Sequence, residues 1–124
     1  MRKIGWLLVL GAALAGQGPA AGQGSARDLV LRGPGATMAC GAWLDLRAAA
    51  DGLFASSDRE AFRGTLGWAL GYLSGAARFG PGLNPLRQTE EDGVISWLVA
   101  HCRAHPDLAF RGALDAFVET HPAR

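Results

Sequence analysis

From Thr37 onward, apolar residues recur at three- and four-residue intervals, the repeat that lines one face of a helix. Four helices follow from it. The first is predicted over about 38–51, with Thr37 as N-cap, Gly52 as the stop and Trp43, Leu44 and Leu46 as its apolar weight. The second is predicted over about 58–79; Ser57 and Glu60 have capping-box spacing, and Phe62, Leu66, Ala69, Leu70 and Leu73 share a stripe. The loop Pro81-Gly82-Leu83-Asn84-Pro85 ends it. The third is predicted over about 90–103, capped by Thr89, with Glu90, Glu91 and Asp92 at the positive end of its dipole and Val94, Trp97, Leu98 and Cys102 on one side. The fourth starts at Pro106, a favoured first helical residue, beside Asp107; Phe110, Leu114, Phe117 and Val118 form its inner face. The expected fold class is all-α, a small four-helix domain over 37–120. Trp43, Trp68, Trp97, Phe110 and Phe117 are its core aromatics, and one tryptophan in each of the first three helices predicts three anchors meeting in one core.

The first 36 residues read differently. Arg2 and Lys3 precede an uncharged, largely apolar run from Ile4 to Ala15. Small residues follow, with Gly18 and Ala20, or Ala20 and Gly22, suited to a signal-peptidase site. This is the three-part plan of a secretory signal peptide, expected over 1–22. The run is shorter than the roughly 20 residues a spanning helix needs, so no membrane attachment is expected after cleavage. Residues 23–36 are rich in Gly, Ala, Pro and Ser and are expected to be flexible, broken by Gly33-Pro34-Gly35 after the short apolar patch Leu29-Val30-Leu31.

Export bears on the cysteines and the charge. In an oxidising compartment Cys40 and Cys102 are expected to form one disulfide; two unpaired buried thiols are the alternative. Without the leader, ten arginines face eleven acidic residues, a formal net charge of −1 with no lysine left. That balance argues against nucleic acid and against a polybasic membrane patch. At strongly acid pH the carboxylates neutralise and three histidines charge, so the side chains approach about +13 and repel one another.

Candidate chemistry is sparse. Gly67, Gly71 and Gly75 stand four apart, with Gly64 nearby, on one narrow helix face. The spacing predicts close packing of this helix against a neighbour within the monomer; a groove or homodimer contact is the alternative. His101 and His105 have the spacing of a helical zinc pair, but two further ligands would be needed, with only His121 or a carboxylate to offer, and Cys102 has a better use in the disulfide. The simpler expectation is that the helix C-terminus favours their imidazolium form. Ser74 lacks the strand–turn–helix setting of a nucleophile elbow, and the consecutive Glu90, Glu91 and Asp92 point to different faces. No phosphate-cradling or dinucleotide motif occurs. The expectation is a protein with no enzymatic activity, cofactor or metal.

The segment Trp68-Ala69-Leu70-Gly71-Tyr72-Leu73-Ser74-Gly75 resembles the W-x-x-G-[FY]-x-x-G helix of small secreted proteins related to HdeA and HdeB. Cys102-Arg103-Ala104-His105-Pro106 is similar to the C-x-x-[HN]-P segment of the same proteins, and Cys40, ahead of Trp43, stands where their first cysteine stands. The resemblance spans roughly 38–118. It implies a periplasmic four-helix domain with a Cys40–Cys102 disulfide, and an ATP-independent chaperone that is dimeric at neutral pH and loosened by acid to hold denatured clients. The absence of lysine from the mature chain departs from that pattern. The chain also resembles the Tai-like immunity proteins of type VI secretion, which implies a folded protein that binds and blocks a partner enzyme.

Overall fold

A computed structural model of the chain describes residues 30–80 and 84–122. Contacts divide the chain into residues 1–30 and 31–124, and the second unit is the one described below. The expected signal peptide, residues 23–29 of the linker and most of the 81–85 loop lie outside the described residues. Four helices are described: α1 (Cys40–Ala49), α2 (Ser56–Phe79), α3 (Glu91–Ala104) and α4 (Phe110–Thr120). None is long and apolar enough to cross a membrane. The all-α expectation therefore holds for the described residues, and the helix order is as predicted.

Each helix turns one stripe inward. Cys40 and Trp43 come from α1, Ala69 and Leu73 from α2, Val94, Leu98 and Cys102 from α3, and Phe110, Ala113, Leu114 and Phe117 from α4; all are fully buried. The disulfide joins the first residue of α1 to the last turn of α3, with 5.0 Å between the two Cα atoms. It sits inside the core it helps to close.

The helix starts depart from the sequence expectation. No helix has a side-chain cap: Ala39, Ala55, Glu90 and Ala109 hold the N-cap positions, so Thr37, Ser57 and Thr89 do not cap. α4 opens at Phe110 rather than Pro106. The reason is tertiary. The 106–109 turn lies beside the entry to α1, where the Cys40 amide donates to the Leu108 carbonyl at 2.8 Å and the Gly41 amide to the Pro106 carbonyl at 2.9 Å. The Phe110 amide donates to the Met38 carbonyl at 2.8 Å in return, and Ala39 and Ala109 form an isolated antiparallel bridge. First-turn amides always lack intrahelical acceptors. At α1 and α4 each segment supplies acceptors to the other in place of hydroxyl caps.

The three tryptophans do not converge. Trp43 is fully buried and stacks on Phe110, with ring centroids 4.8 Å apart, and lies 5.6 Å from Phe62. Trp68 and Trp97 are only partly buried and pack against the rim of the core. The Trp68 indole N–H donates to the Arg32 carbonyl at 2.7 Å. Its ring lies over Gly33, whose φ is +121°, and over Gly35; a Cβ on either glycine would collide with the indole. Thus part of the segment expected to be flexible, residues 32–35, is held against α2 by one aromatic ring.

Candidate functional site

Two features outside the sealed core carry chemistry. The first is a corner where α3 and α4 meet. Trp97 stacks on His101, with centroids 4.7 Å apart and planes 10° from parallel. Its other contacts are edgewise, with Phe117 at 5.2 Å and His121 at 5.8 Å. Phe117 stacks on His121 at 3.9 Å, and His101 meets His105 at 4.7 Å. All three histidines of the chain therefore share one aromatic cluster built on Trp97 and Phe117.

Helical spacing explains the local part of this arrangement. Residues 97, 101 and 105 rise along one side of α3, and 117 and 121 along one side of α4. The His121 Nδ1 lies 2.8 Å from the Phe117 carbonyl, which can only accept, so that nitrogen carries the proton; the Thr120 hydroxyl lies 3.0 Å away. Burial, and secondarily the neighbouring His105, push the His101 pKa below its ordinary value. That corrects the expectation that the helix dipole favours its imidazolium form. Desolvation and a like charge outweigh a dipole that falls off within one turn. No carboxylate among the described residues lies within ion-pair distance of the three rings. Nor does any group of three metal-ligating side chains converge among those residues.

The second feature is the outer face of α2. Gly67 and Gly71 are exposed and Gly75 is partly so, and a Cβ added at any of the three would meet nothing within 4 Å. This overturns the expectation that they pack against a neighbouring helix in the monomer. The inner face of the same helix does that work through Thr65, Leu66, Ala69 and Leu73. Each glycine in an exposed helix interior costs up to about 1 kcal/mol relative to alanine, and nothing within the described domain offsets it.

Two interactions have no signal in the sequence because they join distant residues. The Trp43 indole donates to the Thr65 hydroxyl at 3.2 Å, and that hydroxyl donates to the Phe62 carbonyl at 2.8 Å. Thr65 is the one polar side chain in the sealed core of the described residues. Tyr72 donates to Asp115 at 2.5 Å; burial and then that carboxylate push the Tyr72 pKa up to about 12. Asp115 also lies 3.8 Å from Arg111 on the same helix.

Concave sites are shallow. A cleft of about 260 Å³ lies between the Asn84–Thr89 turn and the end of α4, with His121 in its wall. A second, of about 370 Å³, is lined by Arg47, Asp51 and Asp92 beside Phe62 and Ile95. The side chains of those three charged residues make no hydrogen bond or ion pair with one another. Ser74 donates its hydroxyl to the Leu70 carbonyl at 2.7 Å, on an exposed helical face, and has no base beside it. Large apolar side chains stand free at the α1–α2 turn, where Leu53 is 91 % and Phe54 99 % exposed, and at the end of α2, where Phe79 is 82 % exposed. Comparison of the chain with protein-family models, with curated proteins and with solved structures returns no match.

Proposed function

We propose that this is a non-enzymatic protein of the periplasm or secreted space that loosens in acid and then holds unfolding protein clients, without ATP. The gathering of all three histidines on Trp97 and Phe117 carries this reading. The rings stack as part of the rim. Acid puts three positive charges on one aromatic cluster with no carboxylate among the described residues to pair them. The sign follows from the depressed His101 pKa: the folded state takes up that proton less readily than the unfolded state. Stability from this group is present above the ordinary value of 6.5 and is lost as the pH falls through its folded value. Separating the α3–α4 seam would expose Trp97 and Phe117, an apolar surface fit for denatured chains. The resemblance to HdeA and HdeB and the leader-like N-terminus agree with this role.

The test is light scattering of an aggregating client at neutral pH and at successively lower pH, with near-UV and far-UV spectra of the protein alone. Suppression that appears only where near-UV signal is lost and helix is kept supports the proposal. Failure to suppress aggregation at any pH removes it.

The free Leu53-Phe54 tip favours a second reading, a folded binder of one partner enzyme at neutral pH. A protein that captures a secreted enzyme at neutral pH, and loses it when Phe54 becomes Ser, would establish that alternative.

A further inference from the structure

We propose that the cleft of about 370 Å³ between the end of α1, the first half of α2 and the start of α3 binds a small zwitterion with an apolar side chain, a free α-amino acid such as phenylalanine or leucine. The proposal uses none of the histidines and does not rest on the acid reading. Arg47 and Asp51 reach the cleft from α1 and the turn after it, Phe62 from α2, and Asp92, Ile95 and Ser96 from α3.

Three kinds of group line this cleft, and each selects one part of the ligand. Asp51 and Asp92 suit an ammonium, since two like charges on one cleft favour a cation between them. Arg47 suits a carboxylate, which its planar fork can hold with two hydrogen bonds. Phe62 and Ile95 are partly buried and offer an apolar surface to the rest of the molecule. Opposite charges in one cleft can cancel by pairing. Here Arg47, Asp51, Asp92 and Ser96 have no side-chain hydrogen-bond or ion-pair partner among the described residues. Other ligand classes leave part of this set unmatched. A simple anion meets two carboxylates, a plain amine leaves Arg47 unused, and a hydrocarbon desolvates charges without pairing them. The volume lies at the lower end of the range for small-molecule sites.

The walls are fixed by contacts within the chain. Phe62 backs onto the sealed Trp43, with ring centroids 5.6 Å apart. The Arg59 guanidinium donates to the Gly52 carbonyl at 3.0 Å and so ties the turn that carries Asp51 to α2. The Asp51 and Gly52 amides close that turn on the Ala48 and Ala49 carbonyls, at 3.2 and 3.1 Å. Asp92 stands in the first turn of α3. Groups held in place before binding lower its entropic cost.

NMR titration of the full disulfide-bonded chain with L-phenylalanine, N-acetyl-L-phenylalanine and L-phenylalaninamide tests the proposal. L-Phenylalanine should shift the Phe62 and Ile95 signals saturably, with a dissociation constant of about 1 mM or tighter for a ligand of this size. The acetylated compound lacks the ammonium and the amide lacks the carboxylate, so each should bind about tenfold more weakly. Arg47→Gln should weaken L-phenylalanine about tenfold and leave L-phenylalaninamide unchanged, because the amide has no carboxylate to lose. Asp51→Asn combined with Asp92→Asn should weaken L-phenylalanine and the amide but not the acetylated compound. The near-UV signal of Trp43 checks that each variant is folded. No saturable shift up to roughly 10 mM overturns the proposal. So do shifts confined to residues outside the cleft, equal binding of the three compounds, or variants that bind L-phenylalanine as the parent chain does.

Discussion

Trp43 and Trp97 start from the same chemistry and end in opposite situations. Trp43 is sealed: Phe110 covers one face, Thr65 satisfies its N–H, and its exposure is zero. Trp97 stands on the rim and is framed by titrating rings, His101 on its face and His121 at its edge. Phe62, Phe110 and Thr65, which meet the first indole, do not ionise in the ordinary range. The second environment includes His101, whose pKa burial and then His105 push below its ordinary value. One tryptophan lies inside the core, and the other lies among histidines at its rim.

The largest way to break the sealed side is through its covalent bond. Cys40 and Cys102 are 62 residues apart in sequence, and the loop-entropy model gives about 4 kcal/mol for closing such a loop. Replacing both by Ala should therefore cost about 4 kcal/mol, measured as loss of the urea midpoint. Replacing only one leaves a free thiol in the core, so the pair is the clean variant.

Next comes Thr65, the one polar residue in the sealed core of the described residues. Thr65→Val keeps the shape but leaves the Trp43 N–H without an acceptor, and should cost about 1–3 kcal/mol at any pH. If the cost grows on acidification, the sealed side is not independent of the rim. Thr65→Ser keeps the acceptor and should recover most of the loss.

On the rim, His101→Gln should flatten the fall in stability below the ordinary value of 6.5, because the group whose folded pKa is depressed is gone. Stability at neutral pH should change by less than about 1 kcal/mol. An unchanged slope would show that His105 and His121 suffice or that the cluster is not the sensor; the triple replacement of all three histidines decides between them.

The smallest effect tests the outer face of α2. Gly71→Ala should raise monomer stability by up to about 1 kcal/mol, because the methyl group meets open space and alanine favours the helix. A loss of monomer stability instead would mean that this face is packed from within the chain.

Much of the domain was legible before the structure. Helices carry a period that needs no tertiary information, so four stripes and their order could be read directly from spacing. The pairing of Cys40 with Cys102 followed from there being two cysteines and a leader-like N-terminus. The starts of α1 and α4 differ from the sequence expectation because capping patterns are local, whereas their first amides find acceptors across the molecule, on the 106–109 turn and on Met38. The glycine face was misread for a related reason: spacing places residues on one side of a helix without telling which side is inward.

The sequence by itself determined where the chain coils and which side chains share a face, since both follow from rotation per residue. Only the tertiary structure decided which faces were buried, that Trp43 alone of the three helical tryptophans is sealed, and that His121 reaches the ring carrying His101. Those outcomes depend on how helices far apart in the chain pack side by side. No local periodicity encodes that, because burial is a property of the neighbour as much as of the residue.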